Sequence, residues 1–357
     1  MVPGVKSLPA NAFSESYESN IVVAPDLTII GSNAFSYNRN IKKLNIPSSV
    51  TSIGQGAFSY CYALREISIP ENITILNATT FYQCYCLPRI TIPSAVTAFG
   101  ANCFNACYCL GEVTCLPTVP PTIQSNTFNT NPPYQKIIVP VGSISDYQTA
   151  TNWSNIKHEI CAHLETQPTE VDYLYSDGNG QYMNTFIRGE VIGKIKIKLK
   201  NEAAPTGTSL SADGALNVNT SGFYGIIGLR GSKYVATWGG ASYTNLADFD
   251  TDWHEIEVDV LNKTAQFDDL TPVTLTNVYS GPYGMASLYI FGYRSSYTAS
   301  VPCAATYRGY VKIWDKAGAL VRDMVPVVYN GVGYMYDKVE HLLIPNHGTG
   351  TFTFPTA

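Results

Sequence analysis

Charge is scarce in this chain. Asp, Glu, Lys and Arg make up 14% of its 357 residues, against about a quarter in an average globular protein. The net charge is -5 and the 22 basic side chains are scattered, which excludes the clustered cations that nucleic-acid phosphates require. No apolar run approaches the roughly 18 residues that span a bilayer. Met1 to Ala10 lacks a basic head followed by an apolar stretch, so either a signal peptide has been removed or the protein does not cross a membrane by that route. Histidine is sparse as well: His158, His163, His254, His341 and His347 show no metal-ligand spacing. Neither a Gly-x-Ser-x-Gly elbow nor a P-loop occurs. What remains is a chain that is 45% hydrophobic, enough for a packed core. Its polar surface must come from Ser, Thr, Asn, Gln and 25 tyrosines.

The first half repeats. Phe13, Phe35, Phe58, Phe81, Phe104 and Phe128 recur at intervals of 22, 23, 23, 23 and 24 residues, and Pro25, Pro47, Pro70, Pro93, Pro117 and Pro140 keep the same beat. Most of the prolines close a short alternating run such as Glu66-Ile67-Ser68-Ile69. Period-two alternation of β-branched residues predicts a strand, and proline, which has no ladder donor, stops it. Apolar pairs follow each proline: Val50 with Ile53, Ile73 with Leu76, Val96 with Phe99. Each rung should therefore hold a strand, a return segment and a short turn-helix. One rung cannot bury its own apolar side, so the rungs must stack.

Tyr60-Cys61-Tyr62-Ala63-Leu64 and Val50-Thr51-Ser52-Ile53-Gly54 carry a resemblance to BspA-type leucine-rich repeats over about residues 1–160. The resemblance implies a solenoid of about six 23-residue rungs. Ser145-Asp146-Tyr147-Gln148 and Asn152-Trp153 resemble the segment that closes such arrays, so the repeat domain is placed at 1–164. Met1 enters mid-rung, with Val5, Leu8 and Phe13 already in phase, which leaves room for further rungs or another module in a longer protein.

The repeat sorts residues into columns. Lys43, Glu66, Arg89, Glu112 and Lys136 share one strand position and alternate in sign. With rungs about 4.8 Å apart, such a ladder rewards the correct register by about 0.2–1 kcal/mol per pair. Register control is its simplest role. Tyr62, Tyr85 and Tyr108 form another column, a candidate platform for sugar rings or peptide; the plainer alternative is that they shield the solenoid edge. Cys61, Cys84 and Cys107 make a third, read as small buried hydrophobes, with Cys86 and Cys109 beside it. Side chains pointing the same way are poorly placed for disulfides, and Cys-x-Cys spacing is short for zinc. Nine cysteines, an odd number, kept as free thiols fit a reducing cytoplasm or an anaerobic niche.

After a linker at 165–170 containing Pro168, the beat stops and the pattern becomes all β. Lys194 to Lys200 and His254 to Val260 alternate cleanly, and strand runs appear at Gly222–Arg230, Tyr234–Trp238, Ser287–Arg294, Gly309–Trp314 and Val325–Tyr329. Such spacing predicts an antiparallel sandwich or jelly roll. Tyr173-Leu174-Tyr175-Ser176, Trp253-His254 and Gly309-Tyr310-Val311-Lys312-Ile313-Trp314 resemble strands of concanavalin A-like (laminin-G-like) modules, over about 171–357. The expected class is thus mainly β: a repeat solenoid plus an antiparallel jelly-roll sandwich.

That resemblance also raises glycoside hydrolysis, because some members of the fold cleave β-glucans with a Glu-x-Asp-x-x-Glu motif and paired carboxylates. Glu255, Glu257 and Asp259 share a strand face, but the position that would complete the motif is Asn262. Asp248, Asp250 and Asp252 are spaced closely enough to consider Ca2+, although a solvated loop explains them, and no cofactor is expected. Aromatic loop residues are the ligand candidates: Trp238, Tyr243, Tyr283, and Tyr293-Arg294 with Tyr297. The expected function is non-enzymatic surface recognition of a glycan or a surface protein of a host or bacterial cell. The protein would then be extracellular. The alternative is a virion appendage of a phage infecting gut bacteria, which would be a symmetric homo-oligomer, a trimer if a fibre. The resemblances point to surface and phage proteins of gut bacteria for both halves.

Overall fold

The computed structural model describes residues 5–129, 131, 135–164, 166, 168–176, 183–188, 191–202, 210–218, 223–230, 232–238, 244–275, 287–290, 292–294, 300–302, 306–347 and 350–355. The chain is mainly β, with 38% strand and 6% helix. It divides into two compact units, Met1–Ala162 and His163–Ala357.

The first unit is a β-solenoid of about six turns. Its strands are short because proline and turn residues interrupt them. Lys43–Leu44 pairs in parallel with Glu66–Ile67; Arg89–Ile92, Glu112–Cys115, Lys136–Ile138 and Ile160–His163 continue as one parallel ladder. The return segment contributes a second set: Ser7–Leu8, Ile29–Ile30 and Ser52–Ile53 pair in parallel, as do Ile75–Leu76 and Ala98–Phe99. Gly54 and Gly100 stand where the neighbouring rung passes so closely that a Cβ would lie 2.5 and 2.3 Å from the backbone nitrogens of Ser32 and Ala78.

Inside, Phe35, Phe58, Phe81 and Phe104 are fully buried. Their rings form a parallel ladder that begins at Phe13 and ends at Phe128, with centroids 5.3–5.5 Å apart. Cys61, Cys84 and Cys107 do more than fill space. Each thiol donates to a phenylalanine carbonyl one rung back, those of Phe35, Phe58 and Phe81, at 3.1–3.2 Å. Burial pushes the Cys61 and Cys107 thiols up to about 12, so they are inert thiols rather than nucleophiles. No disulfide joins any of the described cysteines.

The far end of the ladder is closed. Ile144–Thr149 is helical; Tyr147 and Trp153 are fully buried, with Trp153 5.9 Å from Phe128. Their polar tips find backbone acceptors: Trp153 Nε1 donates to the Pro121 carbonyl at 2.6 Å and Tyr147 Oη to that of Pro117 at 2.9 Å. Removing either partner would orphan a buried carbonyl.

Among the described residues the second unit holds a two-stranded antiparallel sheet, Gly292–Arg294 with Ser300–Pro302, and two large antiparallel ones. One runs in the order Val273–Thr274, Thr264–Phe267, His254–Asp259, Ile192–Asn201, Thr306–Asp315, Leu320–Tyr329, Val332–Asp337, Leu342–Ile344. The other runs Met183–Arg188, Ser287–Ile290, Leu210–Val218, Phe223–Arg230, Lys233–Trp238, Thr244–Asp248. Burial alternates along Ile192–Asn201 and His254–Asp259, as strands with one wet face require. Tyr234 of the second sheet meets Phe267 of the first at 5.0 Å. Thr169–Glu170, in the expected linker, instead pairs with Leu320–Tyr329.

Candidate functional site

The turn that follows the return strand differs from the helix expected there, and the difference makes a surface. Two residues in each rung adopt left-handed backbone. One column is Asn11, Asn33, Gly56, Thr79 and Asn102; the other is Glu15, Tyr37, Tyr60, Gln83 and Ala106, all with φ between 55° and 63°. Between them every second N–H leaves its own rung. Asn33, Phe35 and Tyr37 donate to Gln55, Ala57 and Ser59 of the next rung, and Gly56, Phe58 and Tyr60 to Ala78, Thr80 and Tyr82. The intervening N–H groups close i→i−3 turns, such as Ser59 to Gly56 at 2.9 Å. Left-handed backbone disfavours L residues; the ladder of inter-rung hydrogen bonds offsets that cost.

On this turn face the tyrosines assemble. Tyr62, Tyr85 and Tyr108 stack at 4.7 and 4.9 Å, and Arg39 lies 5.8 Å from the Tyr62 ring. Because each ring covers its neighbour, the stack offers rims and hydroxyls more than open faces. Three further tyrosines join them. Tyr37 stacks on Tyr60 at 4.1 Å, while Tyr82 and Tyr62 stand edge-on to Tyr60 at 5.2 and 6.2 Å. Gln83 links the groups: its Nε2 donates to Tyr82 Oη at 3.0 Å and its Oε1 accepts from Tyr85 Oη at 2.7 Å. Tyr37 and Tyr60 are 23 residues apart, each two after a ladder phenylalanine, so the beat itself marked them; the sequence reading passed them over.

Beside Tyr37 and Tyr60 runs a groove of about 450 Å³. Asn11, Asn33, Thr79 and Asn102 form its other wall, and Ser36 and Ser59, joined at 2.9 Å, lie between. Glu15 is the one charged residue in its lining. The Tyr60 phenol is pushed up to about 12 by its hydrogen bond with Tyr37 and by burial, and burial raises Tyr85 too. Both stay neutral donors across physiological pH.

Residues 6–135 match the family model described as the BspA type leucine rich repeat region, in six copies. That part of the chain is a BspA-type repeat region. The turn face and its tyrosines belong to this repeat region. No curated protein matches the chain. Similar solved structures include a leucine-rich repeat protein from Bacteroides ovatus ATCC 8483, at 16% identity over 41% of this chain, with a TM-score of 0.27. A leucine rich cell surface protein from Faecalibacterium prausnitzii A2-165 is 21% identical over 42%, with a TM-score of 0.28. A second Bacteroides ovatus ATCC 8483 protein, proposed to bind carbohydrate, is 10% identical over 54%, with a TM-score of 0.34. The chain spans 58%, 54% and 62% of the lengths of these three.

In the strand of each rung, the charge column lies in register. Lys43 sits directly across from Glu66, and Glu112 lies between Arg89 and Lys136. Lys43 forms an ion pair with Glu66, and Lys136 lies 3.5 Å from Glu112.

In the second unit, Tyr243, Tyr283 and Tyr297 lie outside the described residues, as do the side chains of Trp238, Tyr293 and Arg294, whose backbones fall in strands. The carboxylates considered for hydrolysis are engaged by lysines. Glu255 receives Lys196 at 2.6 Å and Tyr310 Oη at 2.5 Å, and Glu257 lies 3.0 Å from Lys194. Burial alone would raise the Glu255 pKa, but the hydrogen bonds from Lys196 and Tyr310 hold it below the ordinary value, the wrong direction for a general acid.

The aspartates considered for calcium diverge: Asp248 pairs with Lys233, and Asp250 with His254. Among the described residues no group of three His, Cys, Asp or Glu side chains is placed to hold a metal. His254 is buried between two carboxylates, Nδ1 2.8 Å from Asp268 and Nε2 2.7 Å from Asp250. Burial opposes its charge, yet the two hydrogen bonds outweigh burial and raise its pKa. A raised folded pKa gives stability that is fully present below the unfolded value of about 6.5 and is lost as pH rises through the folded value. The resistance of the second unit to urea should therefore fall as pH rises through that window. His254→Gln should flatten this slope; an unchanged slope would refute the assignment.

Proposed function

We propose that this protein is a non-catalytic recognition protein that presents the turn face of its repeat region to a glycan or a surface protein of a host or bacterial cell. The observation that carries the reading is the stacked column Tyr62–Tyr85–Tyr108, continuous with Tyr37, Tyr60 and Tyr82 and partly open to solvent, with Tyr108 52% exposed. Ordered tyrosines supply large contact area at little cost in side-chain freedom, with a hydroxyl at each tip. They stand on turns that recur in register from rung to rung, so the repeat sets the spacing of the rings. The second unit, read as a concanavalin A-like sandwich, would offer a contact surface of its own.

The test is a binding survey of the full chain against immobilised glycans and bacterial and host surface proteins, repeated with Tyr85→Ala combined with Tyr108→Ala. Loss of about tenfold or more in affinity, roughly 1.4 kcal/mol, is the expected result, and Tyr85→Phe should retain most of the binding. Ligands bound equally well by the double variant would place recognition elsewhere.

A further inference from the structure

We infer that the groove beside Tyr37 and Tyr60 takes a neutral, extended polysaccharide chain lying along the solenoid axis, with one pyranose ring to each rung. The inference deepens the recognition reading above and rests on it.

Four observations select this ligand class. The first is spacing. The groove crosses five rungs, from Asn11 through Asn33, Ser59 and Thr79 to Asn102. It therefore runs for about 20 Å at the usual strand spacing of roughly 4.8 Å. The stacked rings along the repeat recur every 4.1–5.5 Å. An extended chain of equatorially linked pyranoses advances by one ring over a comparable distance, so each ring faces one rung, and alternate rings, flipped about the chain axis, return to the same orientation at every second rung. A peptide strand advances about 3.3 Å per residue, so its side chains return to one face only every ~6.6 Å and drift out of phase with the rungs.

The second observation concerns the backbone. The N–H groups of the turn are spent alternately on the next rung, as with Phe35 to Ala57 at 2.8 Å and Phe58 to Thr80 at 2.9 Å, and within the rung, as with Ser59 to Gly56 at 2.9 Å. No open edge is offered along this run for strand addition, the usual means of gripping a peptide. Recognition must come from side chains. The third is the chemistry of those side chains: amides of Asn33 and Asn102, the Thr79 hydroxyl and the phenols of Tyr37 and Tyr60. Such groups both donate and accept hydrogen bonds, which suits a polymer whose every unit carries hydroxyls. The fourth is charge. Glu15 is the only charged lining residue, so nothing in the groove neutralises a uronic acid or a phosphate, and a polyanion is disfavoured.

The experiment is isothermal titration calorimetry of the full chain with β-1,4-linked gluco-oligosaccharides of two to six rings. A curved α-1,4-linked series, an oligogalacturonide series and an extended neutral peptide serve as comparators. Affinity should climb with each added β-linked ring until the groove is spanned, and then level off. The anionic and curved series should bind at least about tenfold more weakly at equal length. Binding should be flat from about pH 6 to pH 9, because the hydrogen bond with Tyr37 and burial keep the Tyr60 phenol protonated throughout that range. Tyr60→Ala should lower affinity for the longest probe about tenfold. Asn33→Gly removes one amide while tolerating the left-handed backbone; it keeps the test valid if Tyr60→Ala fails to fold, and should lower affinity about threefold.

Affinity independent of length, equal or tighter binding of the anionic or curved series, or no binding of any neutral chain overturns the inference. If a surface protein then binds in a manner that depends on Tyr85 and Tyr108, the recognition reading survives alone. If nothing binds in that manner, both fall.

Discussion

Phe81→Ala should destabilise the repeat region by about 3–5 kcal/mol, the upper range for truncating a buried aromatic residue. Phe81 has no exposed surface. Its ring is stacked on both sides, 5.4 Å from Phe58 and 5.3 Å from Phe104. Truncation removes the buried area, two aromatic contacts worth about 0.5–1.5 kcal/mol each, and the filler of a space that the backbone ladders on either side keep from collapsing. The backbone of Phe81 is committed in turn: its N–H donates to Cys103 and its carbonyl accepts from the Cys107 thiol. Because a solenoid is held together by contacts between successive rungs, a lesion in the middle uncouples the two halves of the array. Phe13→Ala offers the comparison, since Phe13 is only half-buried and stands at the first place of the ladder described. Urea unfolding should show the larger midpoint shift for Phe81→Ala. Hydrogen exchange should show lost protection in the rungs around Phe58 and Phe104. Equal shifts for the two variants would mean that the ladder does not couple the rungs.

The phenylalanine beat was legible in the sequence because a solenoid assigns the same environment to the same place in every rung, so composition repeats with structure. The charge column and the Tyr62, Tyr85, Tyr108 column could be indexed for the same reason. The turn could not. Its left-handed positions are filled by Tyr37, Tyr60, Thr79 and Gln83 as well as by Asn and Gly, and residues of those types do not announce positive φ. What holds them there is the hydrogen bonding of the next rung, a tertiary effect absent from local pattern. The groove follows from that turn, so it too was hidden, although the 23-residue spacing of Tyr37 and Tyr60 was available. In the second unit, clean alternation along Lys194 to Lys200 marked a half-wet strand correctly. The burial of Arg322 has no mark in the local pattern, because Thr185, whose carbonyl it reaches, lies 137 residues away in the chain.

That buried arginine carries the second large effect. Arg322→Met should cost the second unit about 3–5 kcal/mol near neutral pH, the range for breaking a buried ion pair from one side. The Arg322 side chain is 3% exposed and Asp337 fully enclosed. Nε donates to the Thr185 carbonyl at 3.0 Å and lies 3.4 Å from Asp337 Oδ2, while Nη1 reaches Glu340 at 2.8 Å. Asp337 in turn accepts the N–H groups of Asp323 and Val339 through Oδ1, so the cluster ties three strand and turn segments together. Burial pushes the Asp337 carboxyl up, and the Arg322 guanidinium is the chief group opposing that rise. Without the arginine, the carboxyl pKa climbs further above its unfolded value of about 3.9. The folded state then binds the extra proton, so stability falls as pH rises through the window between the two values. The deficit of Arg322→Met should therefore be greatest near neutral pH and shrink on acidification towards about pH 5. Adding Asp337→Asn to Arg322→Met should restore part of the loss near neutral pH, because no carboxylate is then left stranded at that position. Urea unfolding of both variants at two pH values decides the matter: a deficit below about 1 kcal/mol, or one that does not change with pH, would show that the cluster is solvated and holds nothing together.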